Sequence, residues 1–248
     1  GMKFALSLVS VVLPVIGLVL VTIVLRLSGL FGVSSQAVLD TLPYAGGLVF
    51  GAKWLADFYF PLGETDDGIL GYDATVRSDA RRVTVWLGWA LALVVVMSAF
   101  LDTTEASAVS RDVLNLPLQL LVGMLLWRLG RLIAHPARIE TEALFVRSKL
   151  RMFIGRAAQV FAVAGPLASV LGYGAAAAAI TIPAVTSLAI IAIIVVLQQL
   201  SYAVASKPLA ADVPADEAVD RFGLLPISIN FGLILLGLPA LALVWGVS

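Results

Sequence analysis

Five acids, Glu64, Asp66, Asp67, Asp73 and Asp79, crowd one polar stretch of a chain that is otherwise strongly apolar. Carboxylates gathered at a membrane surface are what a magnesium-dependent lipid or prenyl transferase needs to hold a diphosphate. The spacing argues against that chemistry. Phosphatidyltransferases use an Asp-Gly-x-x-Ala-Arg core, whereas this stretch reads Asp67-Gly68-Ile69-Leu70-Gly71-Tyr72, and the paired acidic loops of prenyltransferases are absent. Phosphate-binding Gly-rich loops, a Gly-x-Ser-x-Gly elbow and a His-Glu-x-x-His helix are also missing. With no Cys and a single His, thiolate nucleophiles, Cys-ligated metals and His pairs are closed. The expectation is a protein that is not an enzyme and carries no cofactor or metal, its acids forming a solvated loop.

The remaining polar residues read as structural. Lys53 and Asp57 stand four residues apart on one helix face, which predicts an intrahelical ion pair where an unpaired charge would be costly. Arg128 and Arg131 belong to the last turns of an apolar run that ends at His135 and Pro136, and their side chains are expected to reach toward phosphates. Between Arg138 and Arg156 basic residues alternate with Leu144, Phe145, Val146, Leu150, Met152 and Phe153, a pattern that predicts a helix lying along the interface. Arg147, Lys149, Arg151 and Arg156, with Arg128 and Arg131, are thus candidate contacts for lipid headgroups. Asn230 is the deepest strongly polar side chain, expected to hydrogen-bond between helices. Gly47 and Gly51 form a small-x-x-x-small pair suited to close helix packing, Gly46 adds to that face, and Pro14, Pro166, Pro183, Pro226 and Pro239 lie where they can bend helices.

The elements that carry these residues follow from composition. Of 248 residues 60% are apolar and 13% charged, with mean hydropathy +1.02 and zero net charge, which excludes a basic nucleic-acid binder and makes lipid the expected partner. A hydrocarbon core about 30 Å thick needs roughly 20 apolar residues per helix. Seven runs qualify, approximately 4–25, 39–60, 83–101, 113–134, 152–171, 175–202 and 222–247. They predict an all-α, polytopic membrane protein, one helical domain over 1–248 with the spans paired largely as hairpins. The tightest hairpin turns at Gly172, Tyr173 and Gly174, where glycine supplies the positive φ of a short reversal. Alternating the connections places fourteen of the sixteen Lys and Arg on one side and leaves Arg26 and Arg111 on the other. The positive-inside rule then sets the amino terminus in the cytoplasm and residue 248 on the periplasmic face of a bacterial inner membrane. Gly1 ahead of Met2 reads as an expression scar, and the chain as a fragment cut after its seventh span.

From Arg147 onward the chain runs through Arg147-Ser148-Lys149-Leu150-Arg151, Ala164-Gly165-Pro166-Leu167-Ala168, Leu171-Gly172-Tyr173-Gly174, Thr186-Ser187-Leu188-Ala189 and Leu197-Gln198-Gln199-Leu200, and closes on Leu238-Pro239 to Trp245-Gly246-Val247-Ser248. In these stretches it resembles the pre-pore transmembrane region of large, multi-helix bacterial mechanosensitive channels of the small-conductance (MscS) family. The resemblance implies a tension-sensing or scaffold region, assembled as a homo-oligomer of seven copies, without the pore helix and the cytoplasmic vestibule. Ala175 to Ala179 resembles a small-residue pore helix only superficially, since bulky residues from Ile190 to Leu197 follow. A secondary transporter or small-molecule permease is the alternative, favoured by helix number and opposed by the lack of ionisable groups at mid-depth. A membrane enzyme acting on lipid ranks below both.

Overall fold

The computed structural model describes residues 2–28, 32–61, 72–104, 108–135, 145–205 and 225–246, and the regular elements among them are all α-helices. In chain order they are α1 (Met2–Leu27), α2 (Val33–Tyr59), α3 (Ala74–Thr103), α4 (Ala108–Ile133), α5 (Phe145–Val170), α6 (Gly174–Ala205) and α7 (Leu225–Val244). Four contain stretches long and apolar enough to cross a membrane: Ala74–Thr103, Ser110–Ile133, Lys149–Val170 and Gly174–Gln198. In α2 the charges of Asp40, Lys53 and Asp57 dilute the apolar run, and the described apolar stretches of α1 and α7, Val11–Leu27 and Phe231–Val244, are shorter.

Two helices begin well before the apolar runs that announce them. At 30 residues α3 is about 45 Å long at 1.5 Å per residue, and its first turns carry Arg77, Asp79, Arg81 and Arg82 ahead of the apolar stretch. Likewise α5 is unbroken from Phe145 through Arg151 and Arg156 to Val170. From Phe145 onward the basic segment expected to lie along the interface is the opening of α5 itself, because no proline interrupts it before Pro166. Residues 136–144 lie outside the described set.

The predicted hairpin at Gly172 has its physical basis in the backbone. Gly172 adopts φ +84°, Tyr173 N–H donates to Ala168 O at 2.9 Å, and Gly172 N–H donates to Ser169 O at 3.0 Å. These are the 6→1 and 5→2 bonds of a Schellman motif, with glycine at the left-handed position. The following helix, α6, starts at once.

The chain divides into two compact units, Met2–Thr181 and Ile182–Ser248, so that α6 contributes its first turns to one and its remainder to the other. In the first unit, successive helices pack side by side, α1 on α2, α2 on α3, α3 on α4 and α4 on α5. Small residues set the seams. Gly88 of α3 lies so close to α2 that a Cβ there would stand 2.5 Å from the Ala52 Cβ and 3.1 Å from Leu48 O, beside a core of Ala45, Val49, Ala92 and Val96. Among the described side chains of α5 the buried residues are Gly155, Ala158, Ala162, Gly165 and Ser169, a stripe of small residues recurring every three or four positions. A Cβ on Gly155 would stand 2.6 Å from Gly130 O of α4, and one on Gly130 would stand 2.6 Å from Gly155 O. Thr181 of α6 closes against Gly165. In the second unit Gly237 of α7 faces Ile194 of α6, and Trp245 donates its indole N–H to Ser187 Oγ at 3.0 Å.

Away from these seams the helices expose apolar side chains. Trp86, Trp89, Leu93 and Phe100 on α3, Met124 on α4, and Phe153, Val160 and Leu167 on α5 are all outward. Of the four membrane-length stretches only 17–33% of residues are buried. Such surface is costly in water and costs nothing beside acyl chains.

Candidate functional site: a cationic and aromatic belt

At one end of the first unit the carboxyl ends of α2 and α4 meet the amino ends of α3 and α5. Phe60, just past α2, stacks on Tyr72, just before α3, with ring centroids 6.4 Å apart and planes inclined by 22°. Both rings are buried, together with Ala80, and Tyr59, Val76 and Leu132 pack against them. Tyr72 donates its hydroxyl to Ile133 O at 2.9 Å, satisfying a carbonyl that the end of α4 would otherwise leave without an intrahelical partner. The Arg151 guanidinium of α5 sits 5.1 Å from the centre of the Tyr72 ring, in cation–π range. One buried phenol thereby joins three helices. Burial raises the Tyr72 hydroxyl above the ordinary 10.0, and Arg151 pulls it part of the way back. It is the protonated, donating form that the fold holds.

Around this aromatic knot lie two interhelical ion pairs. Arg81 of α3 donates Nε–H and Nη2–H to Asp57 Oδ1 of α2, at 2.8 and 2.5 Å. Arg128 of α4 donates to Asp79 Oδ2 of α3 at 3.1 Å. The expected intrahelical partnership of Lys53 with Asp57 is therefore corrected: the carboxylate is claimed across the α2–α3 seam, where an arginine fork reaches it with two N–H groups. The pairs are partly exposed, a setting in which each stabilises by no more than about 1 kcal/mol.

Of the candidate headgroup contacts, Arg128 and Arg151 are engaged within the chain, by Asp79 and by the Tyr72 ring. Arg131, Lys149 and Arg156 are exposed at the same end. The side chains of Arg147 in α5 and Asn230 in α7 lie outside the described residues, as do Glu64, Asp66 and Asp67. Asp73 begins α3, its carbonyl accepting from Arg77 N–H at 2.9 Å. His135 follows the end of α4. Among the described residues no three His, Asp or Glu side chains come together as a metal-binding group.

Gly47 and Gly51 do not make the close packing expected of them within this chain. Among the described residues nothing lies within 4 Å of where a Cβ would stand on either; of that face only Gly46, one residue and about 100° round the helix, meets a neighbour, Leu18 of α1. The tight seams fall instead on Gly88, Gly123, Gly130, Gly155 and Gly165. The repeating small residues of α5 were the available signal, and sequence reasoning passed over them.

The far ends of the same helices carry fewer charges. Arg26 lies 3.7 Å from Asp40, Arg111 donates to Asp102 at 2.5 Å, and Asp112 packs against Gly174. Among the described residues each end thus holds two ion pairs, and what sets the first apart is the aromatic knot and the larger number of cationic side chains around it. Comparison of the chain with family models, with curated proteins and with solved structures finds no match.

Proposed function

We propose that this chain is a membrane-embedded tension-sensing or scaffold region of a mechanosensitive channel, of the kind its sequence resembles. The amino terminus and the belt face the cytoplasm, and the chain works as part of a homo-oligomer. The observation that carries the reading is the way the helices of the first unit are joined. Each packs on its chain neighbour, with glycines closing the α1–α2, α2–α3 and α4–α5 seams, and many large apolar side chains, among them Trp86, Trp89, Met124 and Phe153, point outward. A row of helices packed mainly on their chain neighbours would present lipid on both flanks and change its footprint in the bilayer by small rotations at each seam. Membrane tension multiplied by the difference in footprint is then the free energy that shifts one arrangement to another. The charge-rich belt supports the same orientation, since the cationic end stays at the cytoplasmic leaflet while the apolar stripes are displaced.

The test uses the absence of cysteine. Single cysteines introduced at the exposed positions Leu27 and Val113, at the far ends of α1 and α4, accept a pair of distance labels in the reconstituted full chain. Adding a lysolipid to one leaflet is expected to lengthen the distance reversibly. An unchanged distance removes the sensor reading. Substrate-dependent flux into sealed liposomes carrying the chain alone would replace it with a permease.

A further inference from the structure

A second cationic feature lies beside the belt and shares Arg81 with it. Ser78, Arg81, Arg82, Val85 and Trp86 follow one another on α3 at i, i+3, i+4, i+7 and i+8, a single face of the helix. With Lys53 of α2 they line an open groove of about 420 Å³ at the α2–α3 seam. Its charge is unbalanced. Three cations border it, and the carboxylate on this seam, Asp57, is already held by Arg81 Nε and Nη2. Asp79, which flanks the same face of α3 three residues before Arg82, is held by Arg128 of α4. Arg81 Nη1, the Arg82 guanidinium, the Lys53 ammonium and the Ser78 hydroxyl remain for an external acceptor.

The groove also has a direction. Toward the amino end of α3 it is cationic; one turn further, about 6 Å along the axis, it becomes Val85 and Trp86. Beyond it the same side of the helix continues through Trp89 and Leu93, exposed like Trp86. From Arg82 to Leu93 is about 16 Å of helix, half the thickness of a hydrocarbon core. A free anion would use only the first part of this surface. A phosphodiester with an acyl chain attached would use all of it, with tryptophan at the level of the glycerol, where indole rings favour the interface.

We infer that the α2–α3 groove is a binding site for an anionic phospholipid, its phosphate held by Lys53, Arg81 and Arg82 with Ser78, and its acyl chain laid along Val85, Trp86 and the exposed face of α3. The site depends on membrane placement of α2 and α3 and is independent of tension sensing, so either can fail without the other.

The experiment reconstitutes the full chain in phosphatidylcholine vesicles containing a minor fraction of brominated phosphatidylglycerol or, at equal mole fraction, brominated phosphatidylcholine. Quenching at Trp86 is read as the difference between the chain and its Trp86→Phe variant. Brominated phosphatidylglycerol is expected to quench that component several-fold more. A lysine or arginine near an anionic leaflet contributes about 1 kcal/mol, or about five-fold in affinity. The Lys53→Gln/Arg82→Gln variant, which leaves the Arg81–Asp57 pair intact, should therefore abolish the preference, and Lys53→Arg/Arg82→Lys should keep it. Unchanged helical content by circular dichroism ties loss in the Gln variant to charge; if that variant does not fold, the conservative variant and the lipid comparison in the unaltered chain decide. Equal quenching by the two lipids in the unaltered chain overturns the site, and so does a preference that survives removal of both charges in a folded chain. Relief of quenching by millimolar inorganic phosphate would reduce the occupant to a free anion and overturn the lipid assignment.

Discussion

A methyl group added at Gly155 should loosen the α4–α5 seam, and one added at Gly47 should not. At Gly155 the new Cβ would stand 2.6 Å from Gly130 O and 2.9 Å from both the Ala134 Cβ and the Ala134 amide nitrogen. Ordinary contact begins near 3.4 Å, so the helices must part by about 0.8 Å, and the obstacles are backbone atoms that no rotamer can move aside. Overpacking of this kind costs about 1–3 kcal/mol. Replacing glycine by alanine inside a helix recovers about 0.8–1.0 kcal/mol of propensity, which offsets only the low end of that range. At Gly47 nothing among the described residues lies within 4 Å, so the propensity gain stands alone and the substitution should stabilise the chain. Thermal unfolding of the detergent-solubilised chain, followed by circular dichroism, should therefore show opposite shifts: downward for Gly155→Ala by up to about 6 °C, and upward by a few degrees for Gly47→Ala, at roughly 3 °C per kcal/mol for a chain of this length. Gly130→Ala meets the same seam from the other side. Because one separation of the helices accommodates both methyl groups, the double variant should cost less than the sum of the singles, a coupling that a thermodynamic cycle measures. Additive losses, or equal shifts for Gly155→Ala and Gly47→Ala, would refute the assignment of the seam.

Gly172→Ala forces a left-handed residue to carry a Cβ at φ +84° and should cost about 1–2 kcal/mol, seen in the same melts and absent from Leu171→Ala. Tyr72→Phe keeps the ring under Arg151 but removes the donor to Ile133 O, an expected loss of about 1 kcal/mol at neutral pH. The folded chain favours the neutral phenol and raises its pKa, so this contribution is complete below pH 10.0 and declines as pH climbs toward the raised value; Tyr72→Phe should flatten that alkaline decline, and an identical pH profile would count against it. Gln119 of α4 is 7% exposed with its Oε1 lacking a hydrogen bond, so the near-isosteric Gln119→Met should stabilise by roughly 1 kcal/mol in the same thermal assay, and a lowered midpoint would show that the amide is satisfied.

The helices were legible because long apolar runs have no other economical backbone solution in hydrocarbon. Their starting points were not. Hydropathy reports where a chain meets lipid, whereas α3 and α5 continue through Arg77–Arg82 and Phe145–Arg151, where charged side chains leave the helical backbone undisturbed. The hairpin at Gly172 was readable for the opposite reason: two glycines two residues apart between apolar runs demand a reversal whatever surrounds them. Partnerships across seams were the hard part. Spacing along α2 brings Lys53 to Asp57, but only the proximity of α3 reveals that Arg81 competes for the same oxygen and takes it. Gly46 and Gly47 look alike in sequence and differ by one step of helical rotation, and that step decides which meets Leu18. Tyr72 drew no notice because its partners, Ile133 and Arg151, are 61 and 79 positions away.

The reversal after α5 has a bearing on how the chain is made. Two main-chain hydrogen bonds and one glycine torsion define the bend, and no distant residue takes part in those bonds. As a nascent polypeptide emerges, α5 and the start of α6 can thus fold back on each other before anything later is synthesised. In the orientation proposed above, the arginine-rich beginning of α5 would be retained at the synthetic side while the uncharged bend, Leu171 to Gly174, slips through. On that proposal, insertion of the pair would be a local event, paced by the ribosome rather than by assembly of the rest.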